Sequence, residues 1–161
     1  AENSAVGLVI GDATGRLGFM NDALLTMLGY DRADVDPALG GTPLRWDALT
    51  PPEHLPLDHA AIAGLLAGER SAPYAKAYFA KDGRRVPILV GPTLLGSGVP
   101  GGEPEIAAFV VDLSARHAAE AALREQEARL RESEAFARAV ADAAPGILYV
   151  YDVQARRNVF G

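Results

Sequence analysis

Three side chains that could hold a metal or move a proton lie close together between residues 54 and 59. His54 and Asp58 are four residues apart, so they share a face if the segment is helical, and His59 follows directly. Imidazole and carboxylate groups in such a set are typical of metal ligands and of general acid–base pairs. Two or three ligands on one helix without a further ligand elsewhere do not define a metal centre, so no metal site is predicted.

The composition excludes several other kinds of chemistry. The chain has no Cys, which excludes a disulfide scaffold, a thiolate zinc site, a cysteine nucleophile and a flavin photoadduct on a thiol. No nucleophile and no oxyanion hole can be assigned to accompany the His and Asp residues, so catalysis by this chain is not predicted. The net charge of −6 argues against nucleic acid or an anionic membrane as a partner.

The chain divides into three parts, since its character changes near Ser114. Before that point Gly and Pro interrupt short apolar runs, whereas 114–144 contains neither residue and is rich in Ala, Glu, Arg and Leu. After Pro145 a strand-like run begins again. We therefore predict a domain over 1–113, a helix over 114–144 and the start of a second domain over 145–161, and we expect a piece of a longer protein.

Strand signals stand at both ends of the first domain, with helix signals between them. The N-terminal runs 6–10 and 16–20 flank a Gly-containing turn and predict a hairpin. Asn21 as an N-cap and Gly29 as a left-handed terminator bound a short helix. The segment Thr50-Pro51-Pro52-Glu53 is typical of a capping box, with Thr50 as the N-cap of a helix that runs to about residue 67.

Three further strands are predicted over 74–80, 85–95 and 106–111, the first two joined at Asp82-Gly83. The nearly unbroken apolar run 106–111 is typical of a central strand. This order of elements predicts an α+β fold, in which a five-stranded antiparallel sheet carries helices on one face and is followed by a long C-terminal helix.

A sparse heptad pattern marks the helical segment. Apolar residues stand at the positions where two helices would meet, namely Leu123, Leu130, Ala137 and Val140. Gln126 and Ser133 occupy the same seam and weaken it. The pattern predicts a homodimer through a parallel two-stranded coiled coil, and the alternative is a single helix that packs on its own domain.

Five segments, in this order, resemble a bacterial PAS sensor domain. They are Gly7-Leu-Val-Ile-Gly-Asp-Ala-Thr-Gly-Arg, Asn21-Asp-Ala-Leu-Leu-Thr-Met-Leu-Gly-Tyr, Leu49-Thr-Pro-Pro-Glu-His, Lys81-Asp-Gly-Arg-Arg-Val-Pro and Phe109-Val-Val-Asp-Leu-Ser. The resemblance covers about residues 5–116. The segment from Ala144 to Asp152, followed by 157–160, is similar to the first two strands of a second, truncated PAS domain.

The resemblance implies a sensory module of a larger signalling protein, such as a cytoplasmic or membrane-tethered sensor histidine kinase whose catalytic parts lie outside these residues. Cyclic-di-GMP enzymes carry similar domains, and a ligandless PAS domain that only dimerises and spaces its neighbours is the structural alternative. The sequence has neither a signal peptide nor an apolar run long enough to cross a membrane, and we expect a cytoplasmic location.

The resemblance also implies a small-molecule pocket between the helices and the sheet. The candidate pocket residues are Trp46, His59, Ile62, Tyr78, Ile88, Val90 and Phe109, and each of them could equally be a core residue. The axial His of haem-binding relatives falls at Asp58 here. His59 lies one residue later and is rotated by about 100° around a helix, so haem is not expected. A flavin is not expected either, and the ligand is not identified.

Two charged residues mark the predicted junction between the domain and its C-terminal helix. Asp112 and Arg116 are four residues apart, at the end of the last strand and in the first turn of the helix. They could pair across the junction as a signalling latch, or form an exposed ion pair worth under about 1 kcal/mol.

Overall fold

The structure is a computed structural model that describes residues 6–96, 103–143, 150–152 and 157–160. Residues 1–115 and 116–161 form two units, which are described separately. The strands are β1 Gly7–Asp12, β2 Leu17–Met20, β3 Tyr74–Phe79, β4 Arg85–Leu95, β5 Glu105–Asp112, β6 Val150–Asp152 and β7 Arg157–Phe160. The helices are α1 Asp22–Leu28, α2 Arg32–Val35, α3 Trp46–Leu49, α4 Leu55–Leu66 and α5 Ser114–Ala143, with 3₁₀ turns at Pro37–Leu39 and Pro52–His54.

The five strands of the first unit form one antiparallel sheet in the order β2-β1-β5-β4-β3. The predicted α+β class and the predicted five-stranded sheet are therefore confirmed. β5 lies at the centre, as its apolar sequence predicted, and pairs with β1 on one side and β4 on the other. No described helix is long and apolar enough to span a membrane.

Alternation along the strands divides the sheet into a core face and an outer face. Val86, Ile88 and Val90 of β4 point into the core, where Leu24 and Leu28 of α1 are completely buried.

Phe109 was predicted to lie on the core face, and this placement is wrong. On β5 the residues that enter the core are Ile106, Ala108 and Val110, so Phe109 has the opposite parity. Its ring lies over Gly91 of β4 on the outer face, where a Cβ on Gly91 would stand 2.1 Å from the nearest ring carbon. Only glycine at position 91 therefore leaves room for the aromatic ring.

Local capping explains where the first helix begins and ends. The Asn21 side chain accepts a hydrogen bond from the Leu24 amide, and Gly29 ends α1 with a φ of 75°. Both predictions for this helix are confirmed.

The capping box predicted at Thr50 is wrong. Helix α4 begins at Leu55, after the 3₁₀ turn Pro52–His54. Thr50 instead follows α3, and its hydroxyl points into the core. Two consecutive prolines carry the chain away from Thr50 before the helix starts, which frees its side chain for another role.

Helix α5 follows β5 after a single residue, and none of its residues is buried. Glu125 and Arg129 pair across one turn at 2.6 Å, one of the pairs that its sequence spacing allows. Farther along, β6 and β7 form an antiparallel pair, with Asp152 opposite Arg157. Strands were predicted at both places, and their assignment to a second PAS domain stays a prediction.

Candidate functional site

A lysine and an aspartate form an ion pair inside the first unit. Lys76 of β3 is 6% exposed and Asp58 of α4 is 3% exposed. The Lys76 Nζ lies 2.7 Å from Asp58 Oδ1 and 2.6 Å from Oδ2, so it donates to both carboxylate oxygens. The same ammonium lies 4.4 Å from the centre of the Tyr78 ring. Two charges with no solvent around them must be matched by each other and by neighbouring dipoles, which makes this pair the most unusual feature of the interior.

Two hydroxyl groups complete the hydrogen bonding of the Asp58 carboxylate. The Tyr74 OH donates to Oδ1 over 2.6 Å. Thr50 Oγ1 lies 2.9 Å from Oδ2 and 2.8 Å from the carbonyl oxygen of Trp46, and it accepts a hydrogen bond from Lys76 over 2.9 Å. Lys76, Tyr74 and Thr50, which we call the donor cradle, thus converge on one carboxylate.

Burial also shapes the acid–base properties of the donor cradle. Desolvation lowers the pKa of the Lys76 ammonium, and the adjacent Asp58 carboxylate opposes that effect. Burial, and then the hydrogen bond to Asp58, raise the pKa of the Tyr74 phenol, so Tyr74 keeps its proton and remains a donor. The cradle therefore presents a cation and neutral hydroxyl groups to a single anion.

A small cavity of about 50 Å³ borders the ion pair. Trp46, Tyr78 and Val90 line it together with Ile62 of α4, so four of the predicted pocket residues do meet around one space. An engineered cavity of about 150 Å³ binds a molecule as small as benzene, so a space one third of that size is far smaller than a cofactor. The sheet and α4 are separated mainly by the protein's own side chains.

The remaining predicted pocket residues lie elsewhere or play other parts. Ile88 is fully buried in the core, and Phe109 faces away from it. His59 is exposed and meets Trp46 edge to face, with 5.9 Å between the ring centres. The rotation expected from its helical position therefore turns it outward.

The three residues with metal-like spacing do not converge. The Nδ1 of His54 accepts a hydrogen bond from the Ala77 amide, His59 is exposed, and Asp58 binds Lys76. Among the described residues, no group of three or more His, Asp or Glu side chains is arranged to hold a metal ion.

A larger groove of about 690 Å³ opens on the surface beside β1, β2 and α2. Two of the three arginines that line it have ion-pair partners. Arg32 donates to the Met20 carbonyl and pairs with Asp22, and Arg45 pairs with Asp47. The third, Arg16, is exposed to solvent, so the groove differs from the donor cradle, whose polar groups converge in the interior.

The predicted latch between Asp112 and Arg116 is not formed. Asp112 Oδ1 accepts a hydrogen bond from the Ser114 amide at 2.7 Å, and Arg116 binds Glu120 at 2.8 Å. A carboxylate just before a helix satisfies one of its free N–H groups, and this local bond competes with any ion pair. Asp112 thus joins β5 to the start of α5 without Arg116.

Lys76, Tyr74 and Thr50 were not predicted as site residues. The alternation of side chains along β3 could have identified Lys76 and Tyr74. Tyr74, Lys76 and Tyr78 have the same parity on β3. Once Tyr78 is assigned to the core face, Lys76 must face the core as well, and a buried Lys needs a carboxylate partner. Which carboxylate it would find depends on the packing of α4, which parity does not reveal.

Replacing Thr50 with alanine should destabilise the protein by about 1–3 kcal/mol, because it leaves groups of a buried network without a partner. Thr50→Ser, which keeps the hydroxyl, should retain most of the stability. Glu53→Ala serves as a control, since a true capping box would make Glu53 equally important. Urea denaturation measures all three, and an unchanged midpoint for Thr50→Ala would contradict this role.

Solved structures with the same arrangement of strands define the fold. The chain matches a sensory box histidine kinase/response regulator from Burkholderia thailandensis with a TM-score of 0.57 and 18% identity, over 80% of this chain and 92% of that one. It matches the PAS domain of a protein from Desulfitobacterium hafniense with a TM-score of 0.51 and 21% identity, over 66% of this chain and 92% of that one. The chain has the PAS fold.

One curated relative shares sequence as well. The hybrid signal transduction protein dokA of Dictyostelium discoideum is 34% identical over 119 residues, which is 74% of this chain. The chain spans about 7% of the length of that relative. No protein-family model matches the chain.

Proposed function

We propose that this chain is the sensory and dimerisation part of a larger signalling protein and is not itself a catalyst. The observation that carries this proposal is the 30-residue helix α5, which leaves the central strand β5 and has no buried residue. On α5 the side chains of Leu123, Leu130 and Phe136 are 57%, 60% and 72% exposed. A helix with an uncovered apolar stripe is stabilised by a partner.

The partner that fits this stripe is a second copy of the same helix. Leu123, Leu130 and Ala137 recur every seven residues, which is the spacing of a coiled-coil core. In a parallel pair with this register, Arg129 of one helix faces Glu134 of the other at the flanking positions, and opposite charges meet. An apolar seam and complementary flanks together favour a parallel dimer.

A route from the interior to this helix runs along β5. Ile106 and Ala108 border the small cavity, and β5 ends at Asp112, whose carboxylate holds the Ser114 amide at the start of α5. A ligand that favours one packing of the core over another can therefore shift the start of α5. Only such differential binding can drive a conformational signal.

For the whole protein we propose a cytoplasmic sensor histidine kinase, with output domains outside this chain. The support is the fold shared with the sensory box histidine kinase/response regulator and the sequence shared with a hybrid signal transduction protein. The regulatory region of a cyclic-di-GMP enzyme is the alternative output.

A second candidate function is that of a ligandless spacer that only dimerises. The size of the interior space favours it, because about 50 Å³ is far below the several hundred cubic ångströms that a typical small-molecule pocket occupies. The two candidates differ in one respect: a sensor passes a change in its core to α5, and a spacer does not.

Spin labels on α5 distinguish these candidates. Since the chain has no Cys, Ala128→Cys provides a single nitroxide site on the side of α5 away from the proposed seam. We expect pulsed dipolar spectroscopy to give a short distance between two copies, which dilution with unlabelled protein removes. Perturbing the core by Asp58→Asn should shift that distance in a sensor.

The possible outcomes of this measurement are distinct. An unchanged distance in the Asp58→Asn variant supports the spacer. The absence of any distance between copies contradicts the dimeric helix on which both candidates depend.

A further inference from the structure

The donor cradle belongs to one side of the interior, and the carboxylate that fills it belongs to the other. Tyr74 and Lys76 are on β3, and Thr50 follows α3, whereas Asp58 is on α4. All three donors would stay in place if α4 moved away. The Asp58 carboxylate therefore occupies the donor cradle as a bound acetate ion would, except that it is attached to α4.

Helix α4 has few fully buried side chains, although Leu55 and Ile62 are half-buried and pack against the core. Of its 12 residues only Asp58 and Leu65 are buried, and its Leu57 and Leu66 are 45% and 49% exposed. The ion pair is thus a principal attachment of α4 to β3. Displacing α4 uncovers these apolar contacts as well as the ion pair. Opening therefore requires another partner for Lys76 and an apolar group that takes over part of the contact made by α4.

The cavity next to the pair determines what that partner can be. Beyond Asp58 and Lys76 its lining also includes Asp12, and most of the remaining wall is apolar, with Val9, Leu17, Val90 and Ile106. Removing the Asp58 side chain would add an acetate-sized space to the existing 50 Å³. A carboxylate with a short alkyl tail fits both the donors and the walls.

The charge of the site restricts this ligand to a single negative group. Lys76 is the one cationic residue among those described around the cavity. A second carboxylate on the ligand would be buried without a partner, and a neutral ligand would leave the Lys76 ammonium unpaired once Asp58 departs. A short-chain monocarboxylate leaves neither group unpaired.

We propose that the Lys76–Tyr74–Thr50 cradle binds a short-chain aliphatic monocarboxylate, which displaces Asp58 and releases α4 from the sheet. This inference rests on the proposed sensory function and names the class of molecule that is sensed. In the ligand-free state Asp58 occupies the site as an internal substitute, and this accounts for the small size of the cavity.

The chain contains its own reporter for this site. Trp46 is the sole Trp and lines the cavity. Titration of the unmodified chain with butyrate should change the Trp fluorescence in a saturable manner. Butyramide, which has the same shape without the charge, should not. The response should be lost in Lys76→Met.

An Asp58→Ala variant tests the cradle from the other direction. With its internal carboxylate removed, this variant should gain several degrees of melting temperature from acetate, propionate or butyrate and nothing from the corresponding amides. The double variant Asp58→Ala, Lys76→Met is the matched control and should respond to neither. Where Asp58→Ala does not fold without ligand, folding on addition of propionate is the expected result.

Equal responses to butyrate and butyramide would overturn the inference, and so would a butyrate response that survives in Lys76→Met. The absence of any response in both the unmodified chain and Asp58→Ala would also overturn it. The spin labels on α5 keep this result separate from the proposed function. A paired helix without carboxylate binding refutes the ligand class alone, whereas an unpaired helix refutes the proposed function whatever the carboxylates do.

Discussion

Replacing Lys76 by methionine should lower the free energy of unfolding by about 3–5 kcal/mol, the cost of leaving a buried charge without its partner. Methionine nearly preserves the length of the side chain, so the loss reports the ammonium and not a cavity. What remains is the Asp58 carboxylate, 3% exposed, with only the hydroxyl groups of Thr50 and Tyr74 to stabilise it. Urea denaturation of the variant and the unmodified chain measures the difference.

The same substitution at Lys81 is a matched control. Lys81 pairs with Asp34 at 2.6 Å, the same distance as in the buried pair, but its side chain is 48% exposed. Because water replaces the lost partner there, Lys81→Met should cost less than about 1 kcal/mol. Equal costs at the two positions would show that Lys76 and Asp58 are not buried as a pair.

A double variant separates the ion pair from its surroundings. Asp58→Asn removes the charge and keeps one oxygen that can accept from the Tyr74 hydroxyl, while its NH2 group can donate to Thr50 Oγ1. Combined with Lys76→Met it should restore most of the stability that Lys76→Met alone has lost, because no isolated charge is left in the core. If the losses in free energy of unfolding of the two single variants add up in the double variant, the two side chains do not interact.

Placing glutamates at Leu123 and Leu130 should convert the proposed dimer into a monomer. Each substitution would replace an apolar contact in the seam of the proposed coiled coil by two carboxylates that face and repel each other. Sedimentation equilibrium should show the mass of the assembly reduced by half. An unchanged mass would exclude the α5 seam as the dimer interface.

The matched control for this pair lies on the same helix. Ala128 and Ala135 are also seven residues apart and stand on the side of α5 away from the seam. Ala128→Glu with Ala135→Glu adds the same charge with the same spacing and should leave the dimer intact. A dimer lost in both variants would indicate a general effect of charge on the helix.

The sequence alone was sufficient for the five strands of the sheet, for α1 and α5, and for their order. Short apolar runs around Gly-containing turns predicted the strands, and Asn21 with Gly29 predicted both ends of α1. The reason is that strand alternation, helix capping and left-handed turns are local and depend on residues a few positions apart. The order of these elements was enough to predict the sheet.

The candidate site was not predictable in the same way, because its members meet only in three dimensions. The residues next to Thr50 predicted it as a helix cap. Its hydroxyl instead forms hydrogen bonds with Lys76 and Asp58, which are 26 and 8 residues away in sequence. The spacing of Asp112 and Arg116 allows an ion pair, but the Asp112 carboxylate instead accepts a hydrogen bond from the nearer backbone N–H of Ser114. Spacing states which contacts are possible, while competition among partners decides which of them form.

The amino-acid sequence thus determined the strands, the ends of α1, the fold class and the heptad spacing of Leu residues on α5, all of which follow from short-range patterns. The tertiary structure alone decided that Lys76 would be buried and that Asp58 of α4 would neutralise it. The residues adjacent to a lysine in sequence do not indicate whether its side chain will be buried. Its position depends on the strand parity, on the helix above it and on a carboxylate from another element that makes the burial of its charge possible.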